Sequence, residues 1–162
     1  EATLLHNEKE IDEHHKVVRL LSDDLQKVAT NVHTTRFRYV DVIKKSTGDL
    51  LQTSSEIVGE LPANWQKHLG DLLAAMLPAG SIAGAPKEKS VAVIDEAETY
   101  ERGFYTGIAG VFDGKTLDSF VLIRFIERIG DRFFYKSGAG ITAQSKPLNE
   151  YNEIIEKIYI PI

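Results

Sequence analysis

Glu150, Glu153 and Lys157 recur at spacings of three and four residues near the end of the chain. On a helix, that spacing places two carboxylates and an ammonium on one face. Tyr151, Ile154, Ile155 and Ile158 take the opposite face, so a helix predicted over 148–158 is expected to rest on a core. Carboxylates without Cys or His neighbours suit a hard cation such as Mg2+, which takes one or two protein carboxylates and keeps its waters. The same pattern also describes a solvated helix face with an i,i+4 ion pair.

Arg124 is the second candidate, because it interrupts the apolar run Phe120-Val121-Leu122-Ile123-Arg124-Phe125-Ile126. A charge there either pairs with a structural carboxylate or binds an anionic ligand, since an isolated buried charge is costly. Gly138, Ala139 and Gly140 leave backbone N–H groups open to a ligand, although such glycines also serve simply to turn a chain. Ser81 lies in the loop 77–87, rich in Pro and Gly, ahead of a predicted helix N-terminus. That place suits an oxyanion, and equally a cap or turn residue. The five histidines show no HExxH or other ligand spacing, which argues against zinc. GxSxG, Walker A and GxGxxG motifs are absent.

Elements that could position these residues follow from periodicity. Ile11, His14, Val18, Leu21, Leu25 and Val28 mark a helix over 8–28, with Asn7 a plausible N-cap. Strands are predicted at 36–43 and 50–58, with a Gly48-Asp49 turn between them. Leu69, Leu72, Leu73 and Met76 share one side of a helix over 65–77. Pro86 opens a helix that runs to about Glu98. Strands at 105–112, 118–127 and 133–137 are predicted to pair consecutively and antiparallel, with turns at 113–116 and 130–131. The middle one reads as buried on both faces. Mixed helices with antiparallel hairpins give an α+β class, with the strands packed against helices.

The chain has 162 residues, 43% hydrophobic and 27% charged, with a net charge of -5. That is an ordinary globular balance, with no basic stripe to favour nucleic acid. There is no cysteine, and no apolar run of transmembrane length, so a cytoplasmic setting without membrane partners is expected. The first residues, Glu1-Ala2-Thr3-Leu4-Leu5, lack the features of a signal peptide.

Taken together, the motifs resemble the chorismate-utilising enzymes: component I of anthranilate and aminodeoxychorismate synthases, and the isochorismate and salicylate synthases. Glu13-His14 with Asp23-Asp24-Leu25 is similar to the family's EH…RNDL helix. The run 54–61 resembles its VSxIxGxL strand, and 78–87 resembles PxGSITGAPK with one change. Arg102-Gly103-Phe104-Tyr105-Thr106-Gly107 is similar to RGxYxG, and Ser137-Gly138-Ala139-Gly140-Ile141 to the GAGI turn. Glu150-Tyr151-Asn152-Glu153 with Lys157 is similar to the terminal ExxE…K helix.

The resemblance implies that 1–162 is a single, partial chorismate-binding domain, the C-terminal part of an α/β sandwich whose upstream half is absent. It implies Mg2+ held by Glu13, Glu150 and Glu153, and it places Glu13, Ser81 and Lys157 at the catalytic centre. Tyr105, Arg124 and the backbone of Gly138 would hold the enolpyruvyl carboxylate, with Ala139 in the same turn. Ser81, Gly140 and Lys157 would face the ring side of the substrate. The SIAGAPK loop, RGFYTG and the ending at 155–161 look most like the aminodeoxychorismate branch, with amination of chorismate to 4-amino-4-deoxychorismate for para-aminobenzoate and folate. Ammonia would come free or from a glutamine amidotransferase partner. The alternatives are the anthranilate reaction, and a fragment that binds without turnover. Gln52 stands where many members have histidine, Ala83 replaces the loop threonine, and Arg19, Ser22 and Asp23 replace the Asp, Arg and Asn of the helix motif. Gln52 hydrogen-bonds but exchanges no proton near neutral pH.

Overall fold

The computed structural model describes residues 8–44 and 48–158. Asn7, expected to cap the first helix, and the ending residues Tyr159, Ile160 and Pro161 lie outside the described residues. The chain divides into two compact units, 1–99 and 100–162.

In the first unit, helix α1 (Glu8–Gln26) is followed by the long antiparallel hairpin β1 (Thr30–Ile43) and β2 (Leu50–Glu60). The apolar stripe of α1 lies against both strands, as its three-and-four spacing dictates. β1 begins six residues earlier than its β-propensity suggests, at Thr30 rather than Arg36. Register shifts carry it through this stretch, with Asn31 and Arg38 at positive φ of 52° and 51°. Each bulge leaves an extra residue unpaired and bends the strand locally. A short 3-10 turn (Trp65–His68) leads into α2 (Leu69–Met76). The loop expected at 77–87 contains a single helical turn, α3 (Gly80–Ala83), before α4 (Lys87–Ala97).

The second unit holds two separate antiparallel hairpins, β3 (Ile108–Phe112) with β4 (Leu117–Val121) and β5 (Phe125–Ile129) with β6 (Arg132–Lys136), then helix α5 (Pro147–Glu156). Asp113 closes the first turn by accepting the backbone N–H groups of Lys115 and Thr116 at 2.8 and 2.7 Å. Gly130, at φ 60°, opens the second turn, which has two residues and is the place where a type II′ hairpin needs positive φ.

Three expectations are corrected here. The strand predicted over 118–127 is broken at Leu122. Ile123 N–H donates back to Val121 C=O at 3.0 Å, a three-residue turn that ends β4 before Arg124. Nor is that run buried on both faces, since Phe120 is 62% and Ile126 46% exposed. The apolar face of α5 is likewise uncovered, with Tyr151 60% and Ile155 50% exposed. Two-stranded hairpins offer no second layer to bury these side chains. The α+β class itself holds, as mixed helices and antiparallel sheets.

Candidate functional site

In the second unit, backbone hydrogen bonds fasten the turn that carries Tyr105 to the bend that precedes Arg124. Past the end of the β3–β4 ladder, Thr106 N–H donates to Leu122 C=O at 2.8 Å and Leu122 N–H to Gly107 C=O at 2.9 Å. The turn 102–107 is thereby fastened beside the bend that carries Arg124. Thr106 sits at φ 66°, which stops the strand predicted from residue 105. Its hydroxyl receives Arg102 Nη1 at 3.0 Å and donates to Tyr105 C=O at 2.6 Å.

Tyr105 then reaches across to the glycine turn. A Cβ built on Gly138 would overlap the Tyr105 hydroxyl, so only glycine admits this approach. Gly140 faces open space, and no neighbour demands glycine there. Arg124 is half-buried and makes no hydrogen bond or ion pair among the described residues. A guanidinium can grip a carboxylate in a bidentate manner, and a phenol and backbone N–H groups can add further hydrogen bonds. Glu127 and Lys136 form a half-buried cross-strand pair at 3.1 Å.

On α5, Glu150 is half-buried and Glu153 pairs with Lys157. Their oxygen-only chemistry and one-turn separation fit two ligands of a hydrated hard cation. Among the described residues, no group of three or more His, Cys, Asp or Glu gathers to hold a metal. Glu13 belongs to the first unit, where it lines a groove of about 390 Å3 with Glu10, His14, Val17, Thr53 and Ser55. His14 Nε2 is 2.7 Å from Ser55 Oγ, which also accepts the Arg38 N–H at 2.9 Å. Burial pushes the His14 imidazole below its ordinary pKa, and the charges of Arg38 and His15 act the same way. Gln52, the departure from histidine, lies exposed on β2 opposite Asp41.

Sequence reasoning missed the role of Asp24. It is 6% exposed, and it accepts Gly80 N–H at 2.8 Å, Lys87 Nζ at 2.6 Å and Lys27 Nζ at 2.7 Å. The signal was legible: Leu20 and Leu21 lie four and three residues before Asp24, which puts a carboxylate on the apolar stripe of α1. Burial pushes this carboxyl up. Hydrogen bonds from Lys27, Lys87 and the Gly80 amide outweigh that and hold it below the ordinary carboxylate range. A carboxylate with depressed folded-state pKa stabilises the fold above its unfolded value, and that contribution is lost as pH falls through the folded value. Asp24→Asn is therefore expected to cost about 2 kcal/mol near neutral pH, and the gap from wild type should shrink below about pH 4. Thermal melts of both proteins across that range measure it.

Antiparallel hairpins that carry an arginine, a tyrosine and a glycine turn belong here to a mixed α+β architecture. The family described as chorismate binding enzyme matches residues 1–162, and the chain belongs to it. An uncharacterized PabA-like protein of Haemophilus influenzae is 54% identical over all of this chain, which covers 49% of that protein. Anthranilate synthase component 1 of Archaeoglobus fulgidus is 38% identical over 96% of the chain and 36% of its own length. Aminodeoxychorismate synthase component 1 of Bacillus subtilis is 34% identical, again over 96% of the chain and 33% of its own length. Among solved structures, a Bacillus anthracis chain assigned as 2,3-dihydroxybenzoate-specific isochorismate synthase, DhbC, superposes with a TM-score of 0.75 at 26% identity, covering 95% of this chain and 40% of that one. The chain spans about half the length of the Haemophilus protein. No single helix among the described residues is long and apolar enough to cross a membrane.

Proposed function

We propose that this chain is the C-terminal portion of a Mg2+-dependent cytoplasmic enzyme that aminates chorismate to 4-amino-4-deoxychorismate. The observation that carries the reading is the turn 102–107, fastened to Leu122 with the Tyr105 hydroxyl against Gly138. Chorismate is a dicarboxylate, and an acidic chain of net charge -5 must build local positive character to hold it. Arg124, Tyr105 and the Gly138 and Ala139 backbone would grip the enolpyruvyl carboxylate. Lys157 and Ser81, with Gly140, would face the ring. Glu150, Glu153 and Glu13 would hold Mg2+, which supplies positive charge to the ring carboxylate when bound. Ammonia would come free or from a glutamine amidotransferase subunit. The uncovered faces of the hairpins and of α5 support placing this chain within a longer polypeptide.

A second reading, conversion of chorismate to anthranilate, draws on the identity to the Archaeoglobus protein, which exceeds that to the Bacillus subtilis one. RGFYTG and the ending at 155–161 favour the first. Chorismate consumption by the full-length polypeptide with Mg2+ and ammonium tests the shared part of both.

The Tyr105–Gly138 contact makes its own prediction. Gly138→Ala is expected to push the tyrosine ring aside and raise KM for chorismate about tenfold, with Tyr105→Phe falling short of that effect. Steady-state kinetics of the two variants measure it, and an unchanged KM in Gly138→Ala would remove the glycine turn from the site.

A further inference from the structure

One carboxylate gathers both ends of the Ser81 loop. Asp24 Oδ2 accepts the Gly80 N–H at 2.8 Å, and Oδ1 accepts Lys87 Nζ at 2.6 Å. Lys87 Nζ also donates to Met76 C=O at 3.2 Å, so the ammonium ties the residues on either side of the loop. A Cβ on Gly80 would stand 2.9 Å from Asp24 Oδ2 and 3.1 Å from Leu20 Cβ. Glycine at 80 is what lets the loop come so near. Among the described residues, Asp24, Gly80 and Ala83 are the buried ones, yet Ser81 between them is exposed. The chain is thus most enclosed where it anchors a loop whose serine faces outward. An apolar residue at 24 would fill the space at lower desolvation cost. A carboxylate adds direction, because its two oxygens fix the Gly80 amide and the ammonium groups of Lys87 and Lys27 at once.

We propose that Asp24 is a positioning residue. With Lys87 it clamps helical turn α3 so that the Ser81 hydroxyl and the adjoining backbone meet the anionic substrate. This rests on the chorismate reading above. The experiment uses the full-length polypeptide as wild type, Asp24→Asn, Lys87→Met and Lys87→Arg. Amide hydrogen exchange of 78–87 is measured without substrate, and KM and kcat for chorismate with Mg2+ and ammonium. In Asp24→Asn and Lys87→Met, exchange in the loop is expected to quicken and KM to rise, each about tenfold. Lys87→Arg, which keeps a cation, is expected to recover most of both.

Unchanged exchange in Asp24→Asn overturns the clamp. Faster exchange with unchanged KM overturns the link to substrate and leaves Asp24 a purely structural contact. Should Asp24→Asn not fold, Lys87→Met decides in its place, because it leaves the acceptor for Gly80 intact. A wild-type protein that consumes no chorismate overturns the functional reading and the substrate half of this proposal, while the exchange measurement still judges the clamp.

Discussion

Arg124→Met in the full-length polypeptide is expected to lower kcat/KM for chorismate about a hundredfold, or roughly 3 kcal/mol. The reason is local. Arg124 is half-buried at the bend after β4 and spends its donors on no described residue. A guanidinium held this way offers a planar fork to a carboxylate, and two charge-assisted bonds are worth about that much. Because no described side chain depends on Arg124, the melting temperature should change little. Arg124→Lys keeps the charge and loses the fork, so its kcat/KM should fall between the two. A melting temperature that collapses in Arg124→Met would instead make this a structural arginine. Kinetics at wild-type level would take it out of the site.

The second large effect is expected from Glu153→Gln. In this structure Glu153 pairs with Lys157 across one helical turn, and both side chains are partly exposed. Such a pair contributes about 0.3–0.5 kcal/mol, so the fold should tolerate its loss. Turnover should not. A carboxamide brings no charge to a hard cation, so activity is expected to fall about a hundredfold and the Mg2+ needed for half-maximal rate to rise. Titration of activity with Mg2+, beside thermal melts, separates the two contributions. Wild-type turnover in this variant would reject Glu153 as a ligand. A large drop in stability would show that the ion pair, rather than the metal, is what the helix requires.

The sequence was most legible where one periodicity decides the outcome. The stripe of α1 and the one-turn spacing of Glu150 and Glu153 could be read directly, and both helices lie within two residues of their expected ends. The hairpin turns at Asp113 and Gly130 were legible because their chemistry is local. Leu122 was not. An unbroken apolar run reads as a strand, and only the backbone bonds of Thr106 and Ile123 show why the chain bends there. Asp24 belongs to a helix motif, yet its work as the acceptor for Gly80 and Lys87 depends on partners 56 and 63 residues away. The covering expected for α5 and for 120–126 failed for a different reason. Periodicity identifies an apolar face but not what lies on it, and the described residues leave Phe120 and Tyr151 open. As for the candidate site, the pairing of Tyr105 with Gly138 came from the family resemblance, and the structure gives it a physical basis in the space a Cβ would need.

Product identification decides whether this chain belongs to a chorismate-aminating enzyme. The full-length polypeptide would be incubated with chorismate, Mg2+ and ammonium, and the products separated and identified by mass and retention. The expected product is 4-amino-4-deoxychorismate, formed only with Mg2+ and, at low chorismate, about a hundredfold more slowly by Arg124→Met. Anthranilate with pyruvate would contradict the branch assigned here, and chorismate recovered intact would contradict the enzyme reading itself.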